Sequence, residues 1–187
     1  MGSAHLYFPG DRFSSAELTA ACLDGHLVPV GDAYMPADAV ETPALRAGSI
    51  APLLGRGLAA TGLSAAWIHG ATAGPPGRHR AQRVGIRRRH HVIDRRLEYH
   101  DTALLESDLI VVGDAWVTTV ARTVIDLLRL GDDHEAEIAR RLAEAHESSI
   151  ARALIALDDA GTLPGKRRAR RILQDWTAEA RQLDVTR

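Results

Sequence analysis

Residues 116–130, WVTTVARTVIDLLRL, constrain this chain more than any other stretch. Val120, Val124, Leu127 and Leu128 recur at i, i+4, i+7 and i+8, which puts them on one stripe of an α-helix. Thr119, with Thr118 as its competitor, offers a hydroxyl to the first free N–H groups, and Gly131 suits the residue just past the helix end. Trp116 and Val117 read as the end of a strand. Upstream, Leu109–Val112 is a continuous apolar run, and Gly113-Asp114 makes a two-residue turn between the two. The expectation is a hairpin that feeds a helix at the centre of the main core. On the polar side of that helix, Arg122 and Asp126 lie four apart, within reach of an ion pair across one turn. Two readings are open for them: a contact to a ligand or partner, or a clamp that ties helix to sheet.

A chain of 187 residues that is 45% hydrophobic can bury a substantial core. With aromatic residues at 4%, Leu, Val, Ile and Ala have to fill it. A formal net charge of −1 gives no overall field toward DNA, so local blocks of charge matter more than the total. The single cysteine, Cys22, excludes an internal disulfide and offers no metal-knuckle spacing. No apolar run approaches the roughly 20 residues of a membrane span, and the N-terminus lacks a secretory pattern, so a cytoplasmic protein is expected.

Residues 1–10 read as an arm. Ser14-Ser15-Ala16-Glu17 is a capping-box sequence, opening a short helix to about Leu23 with Leu18, Ala21 and Cys22 inward. Residues 26–35 then read as strand, turn and strand, with Gly31-Asp32 at the turn. A helix followed by a hairpin is the second half of a winged helix-turn-helix, or a generic helix–hairpin unit. A proline-bearing linker over 36–43 divides the chain into a reduced winged-helix-like module (1–40) and an α/β domain ending in helices (41–187). Residues 43–54 have a helical pattern interrupted by Gly48 and Pro52. Ser64 is expected to cap a compact helix over 65–69. In it, Trp67 reads as core and His69 as a satisfied, half-buried histidine, both with structural or partner contacts.

Gly74-Pro75-Pro76-Gly77 is a loop that opens the most basic part of the chain. Between Arg78 and Arg96 stand eight arginines (78, 80, 83, 87, 88, 89, 95, 96) against one acid, Asp94. Val84 and Ile86 alternate with Arg83, Gly85 and Arg87, which predicts arginines on the open face of a half-buried strand. Leu97 and Tyr99 repeat the pattern, with Arg96, Glu98 and His100 opposite. Such a face can neutralise phosphates, with salt-sensitive and largely sequence-independent affinity, or pair with acidic residues downstream. His79, His90, His91 and His100 fall in the same region without HExxH, paired cysteines or helically spaced carboxylates, so no metal is expected.

The remainder is helical. Residues 134–146 carry Ile138, Ala139, Leu142 and Ala145 on one side. Ser148 or Ser149 restarts a helix with Ile150, Leu154, Ile155 and Leu157, and residues 161–165 break it. The last helix opens at Lys166 with KRRARR, five cations in six residues. Cations at a helix N-terminus oppose the macrodipole, so their placement needs another reason: phosphate, an acidic partner or solubility. Asp101, Glu106 and Asp108 read as a loop between strands. No Ser-His-Asp order, phosphate-cradling glycine loop or acid pair stands out, so neither catalysis nor a cofactor is expected.

In order, FSSAEL, HLVPVGDAYMP, ETPALRA, LSAAWIHGA, WVTTVARTVIDLLRL and PGKRRARRIL resemble the abortive-infection AbiEi-type antitoxins and their winged-helix relatives, over roughly residues 12–175. The resemblance implies an N-terminal winged helix-turn-helix that binds DNA and a larger C-terminal α/β domain. In type IV toxin–antitoxin systems that domain is linked to antagonising a nucleotidyltransferase-like toxin. Related chains place this region ahead of a very-short-patch-repair-type nuclease domain. Here no metal-binding Asp/Glu–Lys constellation accompanies the last helix, and nuclease activity is not expected. One helix, where a full winged helix-turn-helix has three, precedes the hairpin. Arg12, Ser14, Ser15 and Thr19 at its start are then the candidates for groove or phosphate contacts, with Arg46 as a neighbour. Arg87, Arg88, Arg89, Arg95 and Arg96 would make the main phosphate contacts, and Lys166, Arg167 and Arg168 would add more.

The expected protein is α+β, with a reduced winged-helix-like N-terminus, a small mixed or antiparallel sheet around 83–119 and a helical C-terminal third. The expected function is that of a non-enzymatic, DNA-binding transcriptional regulator of antitoxin type. Its partners would be its own promoter duplex and a cognate toxin, with no membrane, and a homodimer would suit a palindromic operator. The alternative is a protein-interaction module whose basic face binds an acidic protein partner, without DNA.

Overall fold

A computed structural model of the chain describes residues 5–85 and 94–185. Ser14 starts helix α1 (Ser15–Leu23): its hydroxyl accepts from the Glu17 N–H at 3.3 Å, and the Glu17 carboxylate accepts from the Ser14 N–H at 2.7 Å. Leu18 is the buried residue of this helix. Gly31, at φ +53°, turns β1 (Leu27–Val30) back into β2 (Ala33–Pro36), with Val30 opposite Ala33.

Helix α2 (Pro43–Leu54) runs unbroken through both expected interruptions. Thr42 accepts from the Leu45 N–H at 3.2 Å, and Pro43 occupies the first turn, where a missing N–H costs nothing. Pro52 lies in the last turn. Gly48 is a notch for the N-terminal arm, since a Cβ there would stand 3.0 Å from the Leu6 Cδ1.

Five further strands build the central sheet: β3 (Leu58–Ala60), β4 (His79–Val84), β5 (Leu97–Leu104), β6 (Leu109–Val112) and β7 (Ala115–Thr118). Their spatial order is β5-β4-β3-β7-β6. The sheet is mixed: β3 is antiparallel to β4 and parallel to β7, β4 is parallel to β5, and β6–β7 is the expected hairpin. The alternation read into β4 is shifted. His79 and Ala81 are the buried pair, Val84 is half-exposed, and the Arg83 side chain is 13% exposed. A register irregularity against β5 between Gln82 and Arg83 accounts for the change. Ile86 and Arg87 lie outside the described residues.

Helix α3 (Gly62–Ile68) follows β3 and separates two apolar clusters. Trp67 and Ile68 join Met35, Ile50, Leu54, Leu58 and Val117 between α2, the small hairpin and the sheet. Ala66, on the other side, joins the helices α4 (Val120–Leu130), α5 (Asp133–Glu144), α6 (Ser149–Asp159) and α7 (Lys166–Val185). Ser64 does not cap α3, which begins after Thr61. Its hydroxyl accepts from the Arg80 N–H at 2.9 Å and lies 3.2 Å from the His79 Nδ1, joining the helix to β4.

Helix α4 is built as its sequence requires. The Thr119 hydroxyl accepts from the Arg122 N–H at 3.2 Å, and Val124, Leu127 and Leu128 are fully buried against the other helices. Ala143 takes the inward place on α5 expected for Ala145, and Ile155 of α6 points outward. Among the described residues no helix is long and apolar enough to cross a membrane.

Gly131 ends α4 in an extended conformation, φ −71°, and not in the left-handed one. It is glycine for want of room: a Cβ would stand 2.2 Å from the Leu127 carbonyl oxygen and 2.5 Å from the Glu135 Oε2. Gly131→Ala should therefore lower stability by about 1–3 kcal/mol in urea unfolding. Gly161→Ala, where a Cβ meets nothing within 4 Å, should stay within about 0.5 kcal/mol of the parent. Equal effects from the two would exclude the steric account.

Candidate functional site

Arg122 and Asp126 form the expected pair, Nε to Oδ2 at 2.9 Å, as part of a larger set. The Arg122 Nη1 also reaches Asp108 Oδ2 at 2.5 Å, and Arg129 reaches the other oxygen of Asp126 at 3.4 Å. All four side chains are nearly covered, and the Thr119 N–H donates to the Asp108 carbonyl at 2.8 Å. Burial pushes the Asp126 carboxyl up, against the pull of the Arg122 and Arg129 charges. Two guanidiniums facing two carboxylates make a neutral, hydrogen-bonded clamp between α4 and the entry to β6. Asp108 is the member that the sequence reading placed in a loop, and its distance along the chain hid the contact.

The candidates at the start of α1 are already occupied. Glu17 fills the position an anion would take, accepting from the Ser14 N–H at 2.7 Å and the Ser14 hydroxyl at 2.8 Å. These bonds hold the Glu17 carboxyl below its usual range. The Thr19 hydroxyl donates to the Ser15 carbonyl at 2.8 Å. Arg12 is exposed, and Arg46 is committed to Glu41 at 2.6 Å and to the Trp67 carbonyl at 2.6 Å, over the Trp67 ring.

The basic stretch is equally committed where it is described. Arg78 donates to the Leu97 carbonyl at 2.6 Å, and Arg80 bridges Glu98 at 3.2 Å and Glu135 at 2.8 Å. Arg83 lies 3.0 Å from Asp101, and Arg96 lies between Asp94 at 2.8 Å and Asp32 at 2.9 Å. Hydrogen bonds from Arg96 hold Asp94 down at about 2. Arg95 is exposed, and Arg87, Arg88 and Arg89 lie outside the described residues. At the start of α7, Lys166 donates to the Ala160 carbonyl and Arg168 to the Leu128 and Gly131 carbonyls at 3.1 and 2.5 Å. Arg170 pairs with Asp158, and Arg167 is exposed.

The histidines divide. His79 is packed against Trp67, and its Nδ1 lies 3.2 Å from the Ser64 hydroxyl, which also accepts from the Arg80 N–H. The His69 Nε2–H donates to the Thr118 carbonyl at 2.8 Å. His100 is exposed and reaches Glu98 at 3.1 Å; His90 and His91 are outside the described residues. Among the described residues no group of three or more His, Cys, Asp or Glu is placed to hold a metal.

Among the described residues, two clefts lie beside these elements. One, of about 850 Å³, lies between the N-terminal arm, α2 and the small hairpin. The other, of about 730 Å³, lies between α4, α6 and the segment before β6. Its rim includes Leu105 and Ile155, 66% and 61% exposed.

Asp126→Ala would leave two nearly buried guanidiniums short of a carboxylate and should cost about 3–5 kcal/mol. A loss below about 1 kcal/mol in denaturant unfolding would show that water replaces the carboxylate there. Burial holds both His69 and His79 below the ordinary histidine value. Their stabilisation is then complete above about pH 6.5, the unfolded value, and is lost as pH falls below it, because the unfolded chain binds the extra protons. His69→Gln, which keeps a donor for Thr118, should flatten the fall in melting temperature between pH 7 and pH 5; an unchanged slope would exclude His69 as a source.

No protein-family model and no curated protein matches this chain. A function has to be built from the arrangement of its own side chains.

Proposed function

We propose that this chain is a non-enzymatic protein-binding module, the role that an antitoxin plays toward its toxin. The observation that carries the reading is where the arginines spend their charge. Arg46, Arg78, Arg80, Arg83, Arg96 and Arg168 are bound to carboxylates or carbonyls of the same chain. A phosphate would have to displace those partners one by one. The reduced winged-helix-like module is also the wrong sign for a groove. Over residues 5–46, Asp11, Glu17, Asp24, Asp32, Asp38 and Glu41 outnumber Arg12 and Arg46, even though Arg46 pairs with Glu41 and Arg96 with Asp32. Exposed apolar side chains, by contrast, rim a ready cleft, as at a protein interface.

A DNA-binding regulator is the second reading, favoured by the density of arginine between 78 and 96 and by the exposure of Arg95 and Arg167. Its phosphate contacts would come from Arg87, Arg88, Arg89, Arg95 and Arg167.

Titration of promoter duplex, scrambled duplex and heparin at several salt concentrations, beside the product of the neighbouring gene, separates the two. The protein-binding reading expects duplex affinity no tighter than the roughly 10⁻⁶–10⁻⁴ M of non-specific contact, without promoter preference. Salt-sensitive binding that prefers the promoter and falls on replacing Arg87, Arg88 and Arg89 with Ala would reverse the order.

A further inference from the structure

The N-terminal arm is a fixed part of the molecule. Tyr7 exchanges both backbone hydrogen bonds with Tyr34 of β2, each 2.9 Å, and Leu6 fills the notch at Gly48. Between this strap and α2 opens the 850 Å³ cleft. The chain has three Trp, three Tyr and two Phe, and Tyr7, Phe8 and Phe13, both phenylalanines included, line this one cleft. Core packing does not account for that concentration, because the buried core is aliphatic but for Trp67, and Phe13 is 43% exposed. Phe13 meets Tyr7 edge-on, with ring centroids 6.0 Å apart, so ring surface stays open to the cleft.

The charges decide what such rings can hold. Arg96 on the cleft wall is spent between Asp32 and Asp94, two carboxylates for one guanidinium. With Asp11 and Arg12 added, the lining carries three carboxylates and two arginines. Aromatic faces are themselves electron-rich and attract cations, and a guanidinium stacks flat on them while its N–H groups stay free for a carboxylate. Six carboxylates against Arg12 and Arg46 over residues 5–46 extend the same sign beyond the cleft, and would steer a cationic segment toward it.

We propose that the cleft between the N-terminal strap and α2 receives an arginine side chain of a partner protein, stacked on Phe13 and paired with Asp11. This rests on the protein-binding reading and names the chemistry of the partner: a cationic, arginine-bearing segment.

The test titrates a labelled Gly/Ser peptide bearing arginines onto the full chain, beside the same peptide with citrulline in their place and a duplex DNA. The arginine peptide should bind, and the neutral citrulline peptide about tenfold more weakly or worse. Phe13→Ala and Asp11→Asn should each weaken the arginine peptide by about three- to tenfold. Both residues are exposed, and unchanged melting would verify that the variants fold. Ile155→Ala, on the other cleft, should leave the affinity as it was. No binding of the arginine peptide, equal binding of the citrulline peptide, or an affinity indifferent to Phe13→Ala would overturn the proposal. Failure with the duplex also idle removes this occupant alone, whereas tight, promoter-selective duplex binding removes the protein-binding reading beneath it.

Discussion

Helix α4 is held at both ends by charge, and the helical part of the molecule packs around it. At its start, Arg122 joins Asp126 of its own helix to Asp108 at the foot of β6. At its end, Arg168 of α7 donates to the Leu128 and Gly131 carbonyls, two of the acceptors that a helix terminus leaves without partners. Between these fastenings the apolar stripe of α4 meets α5, α6 and α7. The second fastening also accounts for one of the cations that open α7. A guanidinium is badly placed at the positive end of its own helix, but Arg168 reaches the negative end of another, which offsets the cost.

The fold was legible where its cause is local. The stripe of α4, the two-residue turn at Gly113-Asp114 and the capping box at Ser14 each follow from residues within a few positions of one another, and each stands where it was read. What failed to show were relations between distant residues. Ser64 looks like a cap because its hydroxyl precedes an apolar run, but its partners are His79 and Arg80 on β4. Gly131, a local exception, looks like a left-handed helix end, but it is extended and its requirement is the close approach of the Leu127 carbonyl and Glu135. Gly48 and Pro52 look like breaks in α2, yet the arm uses one and the last turn absorbs the other.

The candidate site shows the same limit more sharply. Counting arginines along a stretch measures charge density in sequence, whereas affinity for phosphate depends on charge left over after folding. Arg80 is the clearest case, since one of its two carboxylates, Glu98, is on the neighbouring strand and the other, Glu135, comes from α5. The Arg122–Asp126 pair was visible at its four-residue spacing, but Asp108 and Arg129, which make it a neutral set of four, were not. Conversely, aromatic residues are too sparse in this chain to draw notice one at a time. Tyr7, Phe8 and Phe13 gain meaning when the strap lies along β2 and α2 and places them on one cleft.

Pairing within the chain therefore sorts its surface. Around the sheet, among the described residues, Arg80, Arg83 and Arg96 meet carboxylates and cancel at short range; at the start of α7 only Arg170 does so, with Asp158, while Lys166 and Arg168 are held on carbonyls and keep their charge. Along the N-terminal residues they meet less often: Glu41 pairs with Arg46 and Asp32 with Arg96, whereas Glu17 is turned back on Ser14, and Asp11, Asp24 and Asp38 form no ion pair among the described residues. A carboxylate spent on backbone N–H groups keeps its full negative charge, unlike one neutralised by a guanidinium. The field of this region is then set by those four carboxylates, offset in part by Arg12, and screening over about 8 Å at physiological salt confines it to whatever approaches the strap closely. Charge fixes the sign of the partner, and the open aromatic faces beside it select for a flat cation among those of that sign.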